Sequence, residues 1–474
     1  MTSRYVPPPG SAPTLEIPSL DGVRTVHMVG IGGAGMRNLA RLFTARGIGV
    51  TGSDLKDSKG LAELRASGVD VFVGHARTHV GSPDALIVSS AIPRTNPELA
   101  EARERGIPVW MRAQALAAAA CDTRSIAVSG THGKTTTTAM VGLVLERAGL
   151  DPTLVVGGEP NESGSGARLG RGDVFVAEAD ESDGSFLLFA PEVGVITNIE
   201  LDHVDFYTGG LEEIEAAFAL FAERSANVVV CADDEGAMRA VRDVATRVVT
   251  YGTATDANVR IEPVSPGPGG ARGILEVDGE RVDLMLTVDG VHNLGNAAAA
   301  VATAGILGVS AGEAAAALAD FRGVHRRFEL RGSARGADFY DDYGHIPTEL
   351  AVTIDVARRV GPQRLIAVFQ PHRYARTLAL WRELGASLVD ADVVVVTDVY
   401  GADQEPIPGV TGKLVVDGVS QADRSVRIAY LPRRADVVSF LAHEVRPGDL
   451  VVTMGCGDVW MLGDATRERI EAAS

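Results

Sequence analysis

A chain of 474 residues is long enough for roughly two to four domains of about 100–200 residues, each with its own core. Hydrophobic residues make up 46% and charged residues 22%, an ordinary globular balance, and no run approaches the ~18 consecutive apolar residues of a membrane span. A net charge of −18 opposes non-specific binding to nucleic acid or anionic lipid, whose phosphates need basic patches, while leaving room for small anionic ligands where Lys and Arg cluster.

Residues 1–20 carry prolines at 7, 8, 9, 13 and 18 and no apolar stretch, which predicts a loose tail rather than a secretory signal and, by default, a cytoplasmic protein. Residues 21–122 then open a Rossmann-type alternation of strands and helices, with strands at 24–29, 49–53, 69–73, 85–89 and around 109. After the first strand comes Gly30-Ile31-Gly32-Gly33-Ala34-Gly35, followed by a helix, with Asp54 at the end of the next strand. Such a turn lets backbone N–H groups face a pyrophosphate, whether of NAD or of a UDP-sugar; a purely structural tight turn is the alternative. Ser89 and Ser90, at a later strand end, are placed to contact the same ligand, although Ser-Ser alone is more often an ordinary loop.

The unit at 123–322 begins with an apolar strand at 125–129 and then Gly130-Thr131-His132-Gly133-Lys134-Thr135-Thr136, which opens a helix. This reads as a nucleotide-phosphate cradle: glycines free the backbone N–H groups, the lysine bridges outer phosphates and a threonine hydroxyl can hold Mg²⁺. It is a variant loop, with Val128 where the strict pattern has glycine. Lys134 is the only lysine between Lys59 and Lys413, so its position inside the loop is informative. The strand at 174–177 empties into Glu178 and a burst of carboxylates, hard oxygen donors suited to Mg²⁺, against the alternative of a solvated acidic loop. The strand at 193–197 leads to Asn198 and His203, which together with Glu178 and Thr135 are expected to converge at adjacent strand ends. Residues 263–273 read as an edge hairpin. Asn293 opens an alanine-rich helix, where it suits either the adenine edge or a helix cap.

At 323–474 a third α/β unit carries strands at 339–341, 365–369, 393–397 and 450–453. Arg327, at its start, is a guanidinium for a nucleotide. His345 follows the first of these strands, and Arg373 and Arg376 follow the second, spaced to share a helical face and grip a carboxylate; solvated surface arginines are the alternative. Cys121, Cys231 and Cys456 lie far apart without a CxxC, so they read as plain buried thiols rather than disulfides or a zinc site.

Taken in order, GIGGAGM, SSAIP, GTHGKTTTT, EADESDGSF, TNIELDH, HNLGNA, HRRFE, DDYGH, FQPHRY and MGCGD resemble the Mur ligases, which build the peptide stem of bacterial cell-wall precursors. Within that family they look like the branch that adds the first amino acid, and the likeness runs over roughly residues 23–458. Folylpolyglutamate synthetases are relatives that usually carry Asn where this chain has His132. The resemblance implies a Rossmann-like N-terminal domain, a central P-loop ATPase-like domain with a parallel or mixed sheet, and a Rossmann-like C-terminal domain. It also implies an ATP- and Mg²⁺-dependent ligase joining the lactyl carboxylate of UDP-N-acetylmuramate to L-alanine through an acyl phosphate, as a monomer or weak homodimer.

Carried over by motif, Lys134 sits on the γ-phosphate, with Thr135, Glu178 and His203 on magnesium. Asn293 and Arg327 lie on the nucleotide, Arg373 and Arg376 on the amino-acid side, and Gly30, Gly32, Gly33 and Gly35 around the UDP pyrophosphate. Catalysis is expected from Lys134, His203, Glu178, Asn198 and His345. The chain departs from the family pattern at Ile346, where a second histidine is usual, at Arg37, usually a small residue, and at Cys456, usually alanine. Sibling ligases hold a second magnesium with a carbamylated lysine; Lys134 is already committed, so activity independent of bicarbonate is expected. Three other readings remain: a recycling ligase that attaches a preformed tripeptide, a non-catalytic nucleotide-binding module, and an NAD oxidoreductase, which would leave the second unit unexplained.

Overall fold

The computed structural model describes residues 16–472, apart from Ser90, Glu159, residues 162–165, Asp205, residues 268–269 and Asp403. Most of the expected tail, and Ser90, therefore lie outside the described residues. The chain divides between Arg322 and Gly323 into two compact units.

The first unit contains two sheets. Strands β1 (Thr25–Val29), β2 (Gly49–Asp54), β3 (Asp70–Val73), β4 (Ala85–Val88) and β5 (Val109–Met111) form a parallel sheet in the order β3-β2-β1-β4-β5. Val26, Met28 and Val29 on β1 are all buried, as expected of a central strand covered on both faces. Because β2 lies on one side of β1 and β4 on the other, the turn leaving β1 sits at the switch point where such sheets bind ligands.

The second sheet comprises β6 (Arg124–Ser129), β7 (Thr153–Val155), β8 (Ala167–Arg168), β9 (Val174–Glu178), β10 (Val193–Ile196), β11 (Asn227–Cys231), β12 (Arg247–Gly252), β13 (Val259–Gly267), β14 (Gly270–Val277) and β15 (Glu280–Met285). Their order is β15-β14-β13-β12-β11-β10-β6-β9-β7-β8, with β6 parallel to β9 on one side and β10 on the other. The loops leaving these three strands are thereby neighbours. The β13–β14 hairpin is antiparallel and close to the sheet edge, where the Pro/Gly-rich stretch was expected. The helix Lys134–Arg147 is buried from Thr135 to Leu145, which explains its weak amphipathic pattern: it is covered nearly all round, in part by the helix Val291–Ile306.

In the second unit, β16 (Glu329–Ala334), β17 (Ala337–Asp342), β18 (Arg364–Phe369), β19 (Val393–Val396), β20 (Arg427–Tyr430) and β21 (Asp449–Met454) run in the order β16-β17-β21-β18-β19-β20. Only β16 is antiparallel among these described strands. Leu350, Ile354 and Leu384 pack one face of this sheet, and Val437, Leu441 and Leu462 the other. Sequence periodicity passed over β7, β8, β12, β15, β16 and β20. β7 and β8 are only three and two residues long, and β15, β16 and β20 are edge strands, so neither length nor burial marks them, whereas β12 is an internal strand of six residues that the reading missed.

Candidate active site

The glycine turn after β1 is built for close backbone approach. Gly30 takes a left-handed φ of +79° and its N–H donates to the Ser53 carbonyl at 2.8 Å. A Cβ at Gly32 would lie 2.7 Å from Asp54 Oδ2, which instead accepts the Gly32 N–H at 2.9 Å, so Asp54 shapes the turn directly. Gly33 caps the helix Ala34–Ala45 without a side-chain partner, leaving an uncapped N-terminus of the kind that binds phosphate. Ser89 Oγ lies 3.4 Å from where a Cβ on Gly30 would stand, so it overhangs the same turn. Gly35 faces the Arg112 side chain, a cation that sequence reasoning did not single out.

In the second sheet, Gly133 (φ +76°) starts the helix Lys134–Arg147, again with no side-chain cap and no acidic residue in the first turn. A Cβ on Gly133 would come within 2.7 Å of Asn296 Oδ1, and one on Gly130 would collide with the Thr197 hydroxyl. Lys134 Nζ donates to the carbonyls of Gly130 at 2.6 Å and Thr131 at 3.1 Å, and meets Glu181 Oε2 at 2.9 Å. Burial works against its charge, but the carboxylates of Glu181, Asp180 and Glu178 more than offset this and raise its pKa, so Lys134 is a firm cation. Asp180 responds in kind: burial pushes it up, while Lys134 and Arg112 pull it below its ordinary value.

Thr135 Oγ1 donates to Glu178 Oε1 at 3.1 Å, and the Gly157 N–H donates to Glu178 Oε2 at 2.7 Å. Asn198 is a positioning residue. Its Oδ1 accepts the His132 N–H at 2.8 Å, its Nδ2 donates to the His132 carbonyl at 3.2 Å, and its carbonyl accepts the Thr131 N–H at 3.0 Å. Thr136, the next residue of the helix, is buried. His203, with φ +51°, places Nε2 3.3 Å from Asp202 Oδ2 and 3.7 Å from Glu181 Oε1. Glu181, 2% exposed and bridging Lys134 to His203, is a candidate site residue that the sequence reading left unassigned. Its only signal was membership of the carboxylate burst, which does not say which acid turns inward.

A cavity of about 220 Å³ joins these two regions; its lining includes Gly35 and Arg112 at one side and Gly157, Glu178 and Asp180 at the other. Among the described residues no group of three or more His, Cys, Asp and Glu side chains is arranged to hold a metal. Thr135 and Glu178 nonetheless supply two hard oxygen donors in contact, which fits Mg²⁺, an ion that takes one or two protein oxygens and completes its shell with phosphate and water.

Asn293 is not the helix cap; that position is Gly290, and Asn293 Nδ2 donates to the Asp289 carbonyl at 2.7 Å while its Oδ1 accepts from Asn296.

In the second unit, Arg327 lies over the Tyr343 ring at 5.2 Å and 3.8 Å from Glu349. Asp342 accepts the N–H groups of Phe328 and Gly344, at 2.8 and 2.7 Å, and clamps the two motif loops together. His345 Nδ1 lies 3.1 Å from the Tyr343 carbonyl and 3.2 Å from Glu349 Oε2. Ile346, where a second histidine was usual, is 4% exposed, an apolar position. Arg373 stands before the helix Tyr374–Ala386 with φ +66°, whereas Arg376 lies in its first turn, buried, its Nη1 3.2 Å from His372 Nδ1. The shared helical face expected from their spacing is therefore absent, because Arg373 is outside the helix. Cys121 is exposed and Cys231 and Cys456 are partly exposed, which corrects the reading of three plain buried thiols.

Two helix starts without side-chain caps, one after each glycine turn of the first unit, with a lysine in the second and a cavity between Gly35 and Glu178, have the form of a nucleotide-handling enzyme of the three-sheet α/β class. The comparisons are specific. Models of the Mur ligase family match in sequence: its catalytic domain at residues 25–124, its middle domain at 128–304 and its glutamate ligase domain at 326–457. UDP-N-acetylmuramate–L-alanine ligases of Pelotomaculum thermopropionicum and Rubrobacter xylanophilus are 43% and 46% identical to this chain, covering 95% and 94% of it and 99% and 100% of their own lengths. The crystal structure of UDP-N-acetylmuramate–alanine ligase from Thermotoga maritima superposes with a TM-score of 0.82 at 30% identity, covering 95% of this chain and all of that one. The chain belongs to the Mur ligase family.

Proposed function

We propose that this protein is an ATP-dependent ligase that joins the lactyl carboxylate of UDP-N-acetylmuramate to the amine of L-alanine in peptidoglycan precursor synthesis. The relatives at 43–46% identity carry that activity in their names. The structural observation that supports the reading is the cavity lined by Gly35 and Arg112 beside the first glycine turn and by Glu178, which takes the Thr135 hydroxyl, beside the second. A carboxylate delivered through it arrives beside the loop's lysine and threonine.

A carboxylate is a poor acyl donor, and transfer of the γ-phosphoryl group of ATP makes it an acyl phosphate with ADP released. Lys134 holds its charge against the transferring group, a stabilisation of the kind worth ~10²-fold or more in rate. Asn198 fixes the loop that carries it. Thr135, Glu178 and His203 would hold Mg²⁺, which would supply neutralisation of phosphate charge. The neutral amine of L-alanine, its carboxylate held by Arg373 and Arg376, attacks the acyl carbon, and the tetrahedral adduct collapses to amide and phosphate. In this reading residues 21–122 take the sugar nucleotide, 123–322 ATP and 323–474 the amino acid. The ATP assignment covers Gly130, Thr131, His132, Gly133, Thr136, Asn293 and, from the second unit, Arg327, and His345 is assigned to catalysis.

Among the described residues no helix is long and apolar enough to cross a membrane, and we place the protein in the cytoplasm as a monomer or weak homodimer. The test is phosphate release from ATP with UDP-N-acetylmuramate and each candidate amine. Turnover with L-alanine supports the reading; turnover only with a preformed tripeptide makes the protein a recycling ligase, and ATP turnover indifferent to both substrates rejects a ligase.

A further inference from the structure

Arg112 is the sole cation among the described residues that line the cavity, and the proposed reaction gives it no role. It begins the helix Arg112–Ala120 directly after β5, at the carboxyl edge from which the first glycine turn also leaves its sheet. Gln114 Oε1 accepts the Met111 N–H at 2.9 Å and pins that helix start, and Leu116, one turn on, is buried and lines the cavity with Leu39 and Val155. So anchored, the Arg112 side chain lies against the first turn of the helix Ala34–Ala45. A Cβ built on Gly35 would stand 3.2 Å from its Cδ, 3.3 Å from Nη1 and 3.4 Å from Nε. Gly35 has no left-handed φ and sits inside the helix, so what glycine provides there is room for the guanidinium.

A guanidinium carries five N–H donors and no acceptor. Partly buried arginines elsewhere in the first unit use theirs on carboxylates, Arg124 on Glu192 at 2.7 Å and Arg168 on Asp151 at 2.8 Å. Among the described residues Arg112, also partly buried, makes no hydrogen bond and no ion pair. Its charge reaches across the cavity to Asp180, whose carboxyl burial pushes up and Lys134 and Arg112 draw down. A sheltered fork of donors without a protein acceptor, held against a helix start without a side-chain cap, has the chemistry of an anion grip.

We propose that Arg112 is a further binding residue for the sugar nucleotide, its guanidinium gripping the pyrophosphate that the Gly30–Gly35 turn cradles with backbone N–H groups. This rests on the reading of that turn as the sugar-nucleotide site. The cavity itself explains why backbone donors are not enough. Glu178 and Asp180 line it as well, and their charge opposes the approach of an anion. Arg112 supplies the opposite charge on the side of the nest, and its planar fork matches two phosphate oxygens at once.

Calorimetry on the full-length protein, with the phosphate loop filled by AMP-PNP and Mg²⁺, measures the Kd for UDP. Arg112→Ala should weaken UDP by about 10- to 100-fold, the loss expected when a charged hydrogen-bonding partner is removed. Arg112→Lys, which keeps the charge without the fork, should fall between that variant and the parent. In steady-state phosphate release the KM for UDP-N-acetylmuramate should rise by the same factor in Arg112→Ala, while kcat and the KM for ATP change by less than about threefold. Gly35→Ala, whose Cβ displaces the guanidinium, should weaken UDP in the parent and add little in Arg112→Ala, because both changes act through one group. Equal UDP affinity in Arg112→Ala and the parent overturns the proposal. So does weakening confined to UDP-N-acetylmuramate, which would move the guanidinium to the lactyl carboxylate. A loss of kcat and ATP affinity in step with UDP affinity, with a lowered denaturation midpoint, would make Arg112 a prop of the fold and overturns it too. A parent protein that binds no UDP strikes the sugar-nucleotide reading itself, and the proposal falls with it.

Discussion

Replacing Lys134 with alanine separates two roles of one cation. In the free enzyme the ammonium neutralises Glu181, 2% exposed and 2.9 Å away, with Asp180 and Glu178 adding to the local negative charge. Removing one partner of a buried ion pair typically costs about 3–5 kcal/mol, because the other charge is left without compensation. In the proposed reaction the same ammonium faces the transferring phosphoryl group, and its loss should lower kcat by ~10²-fold or more, about 2.7 kcal/mol of barrier. Lys134→Ala should therefore be both slow and less stable, and a Glu181→Gln substitution added to it should recover most of the stability without recovering turnover. Denaturant unfolding and steady-state phosphate release measure the two quantities independently. A kcat within tenfold of the parent in Lys134→Ala, or turnover restored in the double variant, would refute the phosphoryl-stabilising role.

Arg373→Ala and Arg376→Ala should raise the KM for L-alanine more than that for ATP, since a carboxylate grip is lost while the phosphate loop is untouched; a selective collapse of ATP affinity would contradict the assignment. Lys134 is the only lysine from residue 60 to 412 and its ammonium is held by loop carbonyls and Glu181, so activity should be the same in CO₂-free buffer and after bicarbonate is added back. A reversible loss and recovery would contradict it. Glu98 is buried among His27, His75 and His79; burial pushes its carboxyl up, but hydrogen bonds from His27, Ser53 and the Ala76 N–H bring it down to about 2. A depressed carboxyl stabilises the fold above its unfolded value and loses that contribution as pH falls from about 4.5 to about 2, here about 3 kcal/mol in all. The stability gap between the parent and Glu98→Gln should accordingly be full at pH 6 and shrink over that window in chemical denaturation, and a gap independent of pH would show that Glu98 is not ionised in the fold.

The residues proposed to carry chemistry were legible because they obey local rules. Gly30, Gly130 and Gly133 take left-handed φ that only glycine adopts cheaply, and each precedes or starts a helix whose N-terminus lacks a side-chain cap. Lys134 stood out through scarcity alone. Local rules do not say which strands become neighbours. That β6 lies between β9 and β10 is a property of the whole sheet, and it is what brings Asn198 onto His132 and Glu181 onto Lys134. The same limit hid the meeting of His345 and His372, which follow β17 and β18 and whose rings lie 5.8 Å apart. Backbone conformation is decided by neighbours in sequence, and the amino-acid order of this chain settles its turns, its helix starts without side-chain caps and the inventory of donors. Proton positions, ion pairs and the choice of which carboxylate turns inward depend on dielectric and distance, which exist only once strands far apart in sequence have packed side by side.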